Sequence, residues 1–174
     1  VARKKRLEFE RGAINTDEEV PLFETTLDDV NGDILLKRVE EYRSRLVLFE
    51  AQLAQNSNQS EALSRDLLLL KEQLDLKLEV EEAWSGLFES KAGSQIQYLA
   101  AKEARLNASL SYTRAVNAVE QLLSERESLR AEKDAFIAEK YSALAEDYVA
   151  ASEDVSQLTE EERKVLQQFA DLNV

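Results

Sequence analysis

From Asp33 onward, apolar side chains recur at alternating steps of three and four residues: Val39, Tyr42, Leu46, Phe49, Leu53, then the polar pair Asn56 and Ser60, then Leu63, Leu67, Leu70 and Leu74. That alternation is the seam of a coiled coil, in which one helical stripe faces a partner helix. The polar members Asn56 and Ser60, inside "QNSNQS", either fix the register of the pairing or mark a stretch that faces water. Beyond Leu74 the strict register meets Lys77 and Glu81 and is expected to slip, because Leu76, Leu78 and Val80 offer other faces; Trp84, Leu87 and Phe88 restore an apolar end. A second stripe follows, looser and longer, through Leu99, Leu106, Leu110, Val116, Val119, Leu122, Leu129 and Phe136, then Ala143, Tyr148, Val155, Leu158, Val165, Phe169 and Leu172. No Gly or Pro interrupts residues 95–172. One continuous helix is predicted there, roughly 115 Å long at a rise of 1.5 Å per residue.

Neither stripe makes a helix that is stable alone, so the two must face each other. Between them stands "LFESKAGSQIQYL", and the chain is expected to reverse over residues 91–94, with Gly93 as the left-handed or turn residue and Ser94 as the N-cap of the second long helix. The expected fold is all-α, a long antiparallel coiled-coil hairpin. Its ascending arm has two pieces. Residues 1–14 read as the end of a helix, with Leu7 and Phe9 as anchors, Gly12 as terminator, and Arg3, Lys4, Lys5 and Arg6 complementing a helix dipole. Residues 15–32 read as an acidic linker that holds the sole proline, Pro21, and neither Lys nor Arg. Asn31, Gly32 and Asp33 supply a break and an N-cap, and the second ascending helix runs over 33–90. It spans roughly 87 Å, some 28 Å short of the descending helix 95–172, and the first segment makes up about 21 Å of that if stacked end to end beneath it. Gly86 is expected to ease close approach of the helices near the tip.

Composition narrows the function. The 174 residues contain no Cys, His or Met, so imidazole bases, thiolate nucleophiles and soft-ligand metal sites have nothing to work with. Aromatics are 7% and charged residues 33%, the balance of extended helices more than of a thick core. A net charge of -13, with the cations interleaved among acids, repels a phosphate backbone and excludes nucleic acid as a partner. No run approaches the roughly 20 apolar residues of a membrane-spanning helix, and "VARKKRLEFER" has neither an initiator Met nor the form of a signal peptide, so the chain reads as a piece of something larger. The linker acids Asp17, Glu18, Glu19, Glu24, Asp28 and Asp29 lack the alternating spacing of a calcium loop. Carboxylate pairs such as Glu81 and Glu82, or the run Glu160 to Glu162, read as solvated helix face, and a di-iron bundle would need Glu-x-x-His. No catalytic, cofactor-binding or metal residue is assigned, and the chain is expected not to be an enzyme.

The order of a basic helix end, a proline-containing linker, a "GD" helix start, "RVEEYRSRLVLFEAQLAQ", a Leu-rich ascending helix, a Gly/Ser tip and a very long descending helix resembles the periplasmic hairpin of the haemolysin D family, the membrane fusion or periplasmic adaptor proteins of type I secretion systems. "LFEAQ", Leu48 to Gln52, and "LFESKAGSQIQYLAAKEARL", Leu87 to Leu106, carry most of the likeness. In adaptors of this superfamily the tip often shows Arg, then Leu four residues later, then Ser or Thr seven after that. Leu87 and Ser94 match the second and third positions, while Ala83 stands at the first.

The resemblance implies the periplasmic portion of a bacterial protein anchored in the inner membrane, with lipoyl-like halves flanking the hairpin and no cofactor. Its implied partners are an inner-membrane ABC transporter, an outer-membrane channel, a large exported protein and further copies of the adaptor in a hexameric tube. The tip residues Leu87, Ser90, Lys91, Gly93, Ser94 and Gln95 would meet the channel, Leu87 as the apolar contact and the others around it. The reading from a different class is a tethering coiled-coil spacer unrelated to secretion, which would show repeats near a hundred residues or a parallel seam. A curvature-sensing membrane module would want a basic concave face, against which the charge of -13 speaks.

Overall fold

A computed structural model describes residues 1–15 and 29–172. The described residues are all-α, as the periodicity predicts, with three helices in the order α1 (Ala2–Asn15), α2 (Asp29–Glu89) and α3 (Gln95–Leu172). They hold 14, 61 and 78 residues. Most of the acidic stretch read as a linker, Pro21 included, lies outside the described residues. Its two edges do not behave as a linker. α1 runs through Gly12 to Asn15, and α2 begins at Asp29, so that Gly32 lies inside a helix and Asp33 is no N-cap. A glycine costs a helix interior about 1 kcal/mol relative to alanine, and just after Gly32 the helix gains Leu35 and Val39, each 2% exposed. No described helix is long and apolar enough to cross a membrane.

The chain divides into two compact units, Glu50–Ala131 and the remainder, Val1–Phe49 with Glu132–Val174. In the second of these three helical segments pack together. Leu7 of α1 is fully buried against Leu144 and Ala151 of α3, with Ile14 and Tyr148 around them. α1 does not stack end to end beneath α2. It lies beside the first turns of α2, where Arg6 Nη1 donates to Asn31 Oδ1 at 3.3 Å and Glu10 stands 3.5 Å from Arg38 Nη1. Asp147 of α3 ties both segments, at 3.1 Å from Arg3 and 3.3 Å from Arg38. Tyr42 stacks on Phe136 with ring centres 5.7 Å apart, and Phe49 meets the same ring at 6.0 Å. The stripe of α3 therefore changes line here, from Phe136 to the buried Leu144, and the expected Ala143 is exposed. A helix that faces two neighbours needs a wider apolar face than one that faces a single seam. Val155 is half-buried, while Leu158, Val165 and Phe169 remain exposed.

In the unit Glu50–Ala131 the contacts run in antiparallel register. Phe88 stacks on Tyr98, Glu81 pairs with Arg105, and Asn56 Nδ2 donates to the Leu122 carbonyl at 3.0 Å, so partners on α3 move forward as those on α2 move back. The inward line of α2 keeps its steps of three and four through Leu70, Leu74, Lys77, Glu81 and Trp84, while Leu76, Leu78 and Val80 are exposed. The expected slip does not occur: Lys77 and Glu81 are half-buried on the same line, and the carboxylate of Glu81 finds the Arg105 guanidinium opposite. On α3 the buried line is Ala101, Ala108 and Ala115, seven residues apart, and the expected Leu99, Leu106 and Leu110 are exposed. Small residues at this spacing leave room for larger side chains from the facing helix.

Candidate functional site

The tip of the unit Glu50–Ala131 is built by main-chain geometry. α2 ends at Glu89, and Lys91 takes a left-handed conformation with φ of 58°. The Ala92 N–H donates to the Leu87 carbonyl at 2.9 Å and the Lys91 N–H to the Phe88 carbonyl at 3.0 Å, the paired bonds of a Schellman closure. The Gly93 N–H and the Ser90 hydroxyl also donate to the Leu87 carbonyl, at 2.9 and 3.0 Å. Three donors thus converge on one oxygen that would otherwise be left over at the helix end. α3 then starts as predicted at Ser94, whose Oγ accepts from the Ile96 N–H at 3.3 Å and whose carbonyl takes the first helical bond, from the Tyr98 N–H.

Of the two roles expected of Gly93, it takes that of a turn residue between α2 and α3, and the left-handed backbone falls to Lys91. What Gly93 supplies is room: a Cβ placed on it would lie 2.9 Å from Leu87 Cβ and 3.1 Å from both the Leu87 carbonyl carbon and the Phe88 nitrogen. Gly86 is the reverse case. A Cβ there would meet nothing within 4 Å, so no close approach of the helices requires it.

All six residues expected at the tip sit in or beside this turn. Leu87 is 43% exposed, Ser90, Lys91, Ser94 and Gln95 are exposed, and Gly93 is half-buried beneath Leu87. The structure adds Ile96, 78% exposed on the first turn of α3, to the same end of the hairpin. Sequence reasoning passed it over, although a large apolar residue two positions after an N-cap, off the inward line, is a legible sign of an outward-facing side chain. Behind the turn the Phe88 and Tyr98 rings lie 5.7 Å apart and nearly parallel, with Lys102 Nζ 5.9 Å from the centre of the Tyr98 ring. The tip therefore offers a firm apolar and cationic knob edged by hydroxyls.

Two other features could hold chemistry, both in the three-helix unit. A cleft of about 450 Å³ is lined by Leu7, Arg11, Tyr141, Leu144, Ala145, Tyr148 and Val149. A second, of about 250 Å³, holds Glu10, Arg38 and Asp147. Burial pushes the Glu10 carboxyl above its ordinary range against the opposing pull of Arg38 and Arg6. These charges neutralise one another across the α1, α2 and α3 contacts.

No protein-family model matches the chain, and no curated protein matches it. The fold and the site define an all-α chain with an exposed, stiffly closed helical turn.

Proposed function

We propose that the chain is the periplasmic hairpin of a type I secretion adaptor, a non-enzymatic part that bridges an inner-membrane ABC transporter and an outer-membrane channel for export of a large protein. The carrying observation is the tip, where hydrogen bonds from Ser90, Ala92 and Gly93 close the turn on the Leu87 carbonyl and Leu87, Lys91 and Ile96 are exposed around it. A stiff knob of this kind suits docking against the helices of a channel mouth, because little conformational entropy is lost on binding. Copies of the hairpin would stand side by side as a tube and give an unfolded substrate a polar lumen. The resemblance in "LFESKAGSQIQYLAAKEARL" supports the same assignment.

The test is site-specific cross-linking in intact cells. These 174 residues hold no Cys, so Lys91→Cys places one thiol among them, and any Cys elsewhere in the intact protein is replaced first. It is expected to capture an outer-membrane channel. Capture from positions midway along the helices but never from the tip would overturn the docking, and would favour a tethering spacer.

A further inference from the structure

In the three-helix unit α1 and α3 leave an open groove between them. Its floor is apolar and aromatic, with Leu7 of α1 beside Tyr141, Leu144, Tyr148 and Val149 of α3, around the cleft of about 450 Å³. A second cleft, of about 430 Å³, shares Tyr148 and Val149 and carries the groove on through Ser152 and Ser156 to Gln157. From Tyr141 to Gln157 the groove follows α3 for roughly 24 Å. Val149 in its middle is 55% exposed, a large apolar side chain left to water.

The two borders of the groove differ in charge. Each residue of a helix is turned about 100° from the one before. On α3, Leu144 and Ala151 pack on Leu7; Ala145 and Ser152, one residue on, line the groove; Glu146 and Glu153, one residue further, stand exposed on the border away from α1. On α1, Arg11 lines the cleft and Lys4 stands over the Tyr148 ring, 5.5 Å from its centre, so the near border is cationic. Glu8 lies between these two cations in sequence and accepts from the Tyr148 hydroxyl at 3.2 Å. A uniformly acidic or uniformly basic helix would meet one border as a like charge.

We infer that this groove is a docking site for one further helix, supplied by another protein, whose apolar stripe is bordered by acids on one side and cations on the other. Laid along α3, it sets its acids against Lys4 and Arg11 and its cations against Glu146 and Glu153, and it completes a bundle of four helices. Border charges of this kind choose partners wherever helices pack side by side. Side-chain size agrees with a helix as the occupant. Where α3 runs through the unit Glu50–Ala131, its buried line is Ala101, Ala108 and Ala115, seven residues apart. Ala138, Ala145 and Ser152 repeat that spacing in line with the groove, and small residues so spaced let a helix come close. The inference goes beyond the proposed docking of the tip and does not depend on it.

Three peptides of about 18 residues, enough to cover this length, test it against the full chain. They share one apolar stripe, are stapled into helices on the face away from it, and differ only at the borders: Glu on one and Lys on the other, Glu on both, or Lys on both. By fluorescence anisotropy at low salt the split peptide is expected to bind several-fold tighter than either uniform one, and to lose that lead as salt rises. Val149→Arg, at an exposed position, should abolish its binding and leave the thermal melt of the chain unchanged. Arg11→Glu should weaken the split peptide and strengthen the Lys-bordered one. Tightest binding of the Lys-bordered peptide to the parent chain would report only attraction to a net charge of -13, and would overturn the site. Failure of all three to bind, binding that survives Val149→Arg, or self-association of the chain that Val149→Arg abolishes in sedimentation would each overturn it as well. Capture from Lys91→Cys reads docking at the tip alone, so the two proposals can fail independently.

Discussion

Gly93 sits directly beneath Leu87, so close that a methyl group on Gly93 would lie 2.9 Å from the Leu87 Cβ. Gly86, seven residues earlier, has open space where its Cβ would stand. The two glycines therefore have opposite outcomes on substitution. Gly93→Ala should destabilise the unit Glu50–Ala131 by about 1–3 kcal/mol through overpacking against main-chain atoms. Gly86→Ala should stabilise it by about 0.5–1 kcal/mol, since glycine loses more freedom than alanine on entering a helix. Urea unfolding followed by fluorescence of Trp84, the sole tryptophan, reads both changes in the unit that contains it.

Lys91 holds a φ of 58° without the benefit of being glycine. A left-handed backbone costs an L-residue about 1–2 kcal/mol. Lys91→Gly should accordingly raise stability by about 1 kcal/mol in the same assay, while Lys91→Val, branched at Cβ, should lower it.

The alanine row of α3 makes a sharper contrast. Ala108 is 6% exposed and Leu106, two residues away, is 51% exposed. Ala108→Leu should cost about 1–3 kcal/mol because it inserts three carbons into a filled space. Leu106→Ala should change stability of the single chain by less than about 0.5 kcal/mol. Thermal melts followed by circular dichroism separate the two.

Glu10 gives the three-helix unit a pH dependence. Burial raises its carboxyl pKa from the ordinary 4.5 in spite of Arg38 and Arg6. Over the interval from 4.5 up to that raised value the folded chain holds more protons than the unfolded one, so the stability Glu10 contributes falls as pH rises through the window. Glu10→Gln should remove this slope. Its stability relative to the parent chain should climb with pH above about 4.5 and level off above the raised pKa, as read from urea midpoints at a series of pH values. A difference that stays flat from pH 4 to 8 would mean that Glu10 titrates alike in both states.

The seam of α2 was legible because large apolar residues mark nearly every inward position from Val39 to Leu74. The inward face of α3 was not, because near the tip alanines carry it and leucines decorate the outside. Hydrophobicity counts the leucines; packing counts the gaps between them. Lys77 and Glu81 misled for a related reason, since a charge on a seam looks like a break until its partner, here Arg105, is placed opposite. The location of the tip was readable from Gly93 and Ser94, but not the division of labour inside it. Lysine carries no sequence signal for a left-handed backbone, whereas glycine signals two different needs, torsional freedom and space. Gly32 shows the same ambiguity at the start of α2, where its reading as a break gave way to helix that continues into the buried Leu35.

The convergence of three donors on the Leu87 carbonyl separates shape from recognition at this end of the molecule. The reversal of the chain depends on a peptide oxygen that every amino acid possesses, while the side chains at Leu87 and Ile96 take no part in those bonds. Under the proposed docking, substitutions there would change the surface the tip offers while these bonds stay in place, so that partner preference could drift at small cost to the rest of the chain.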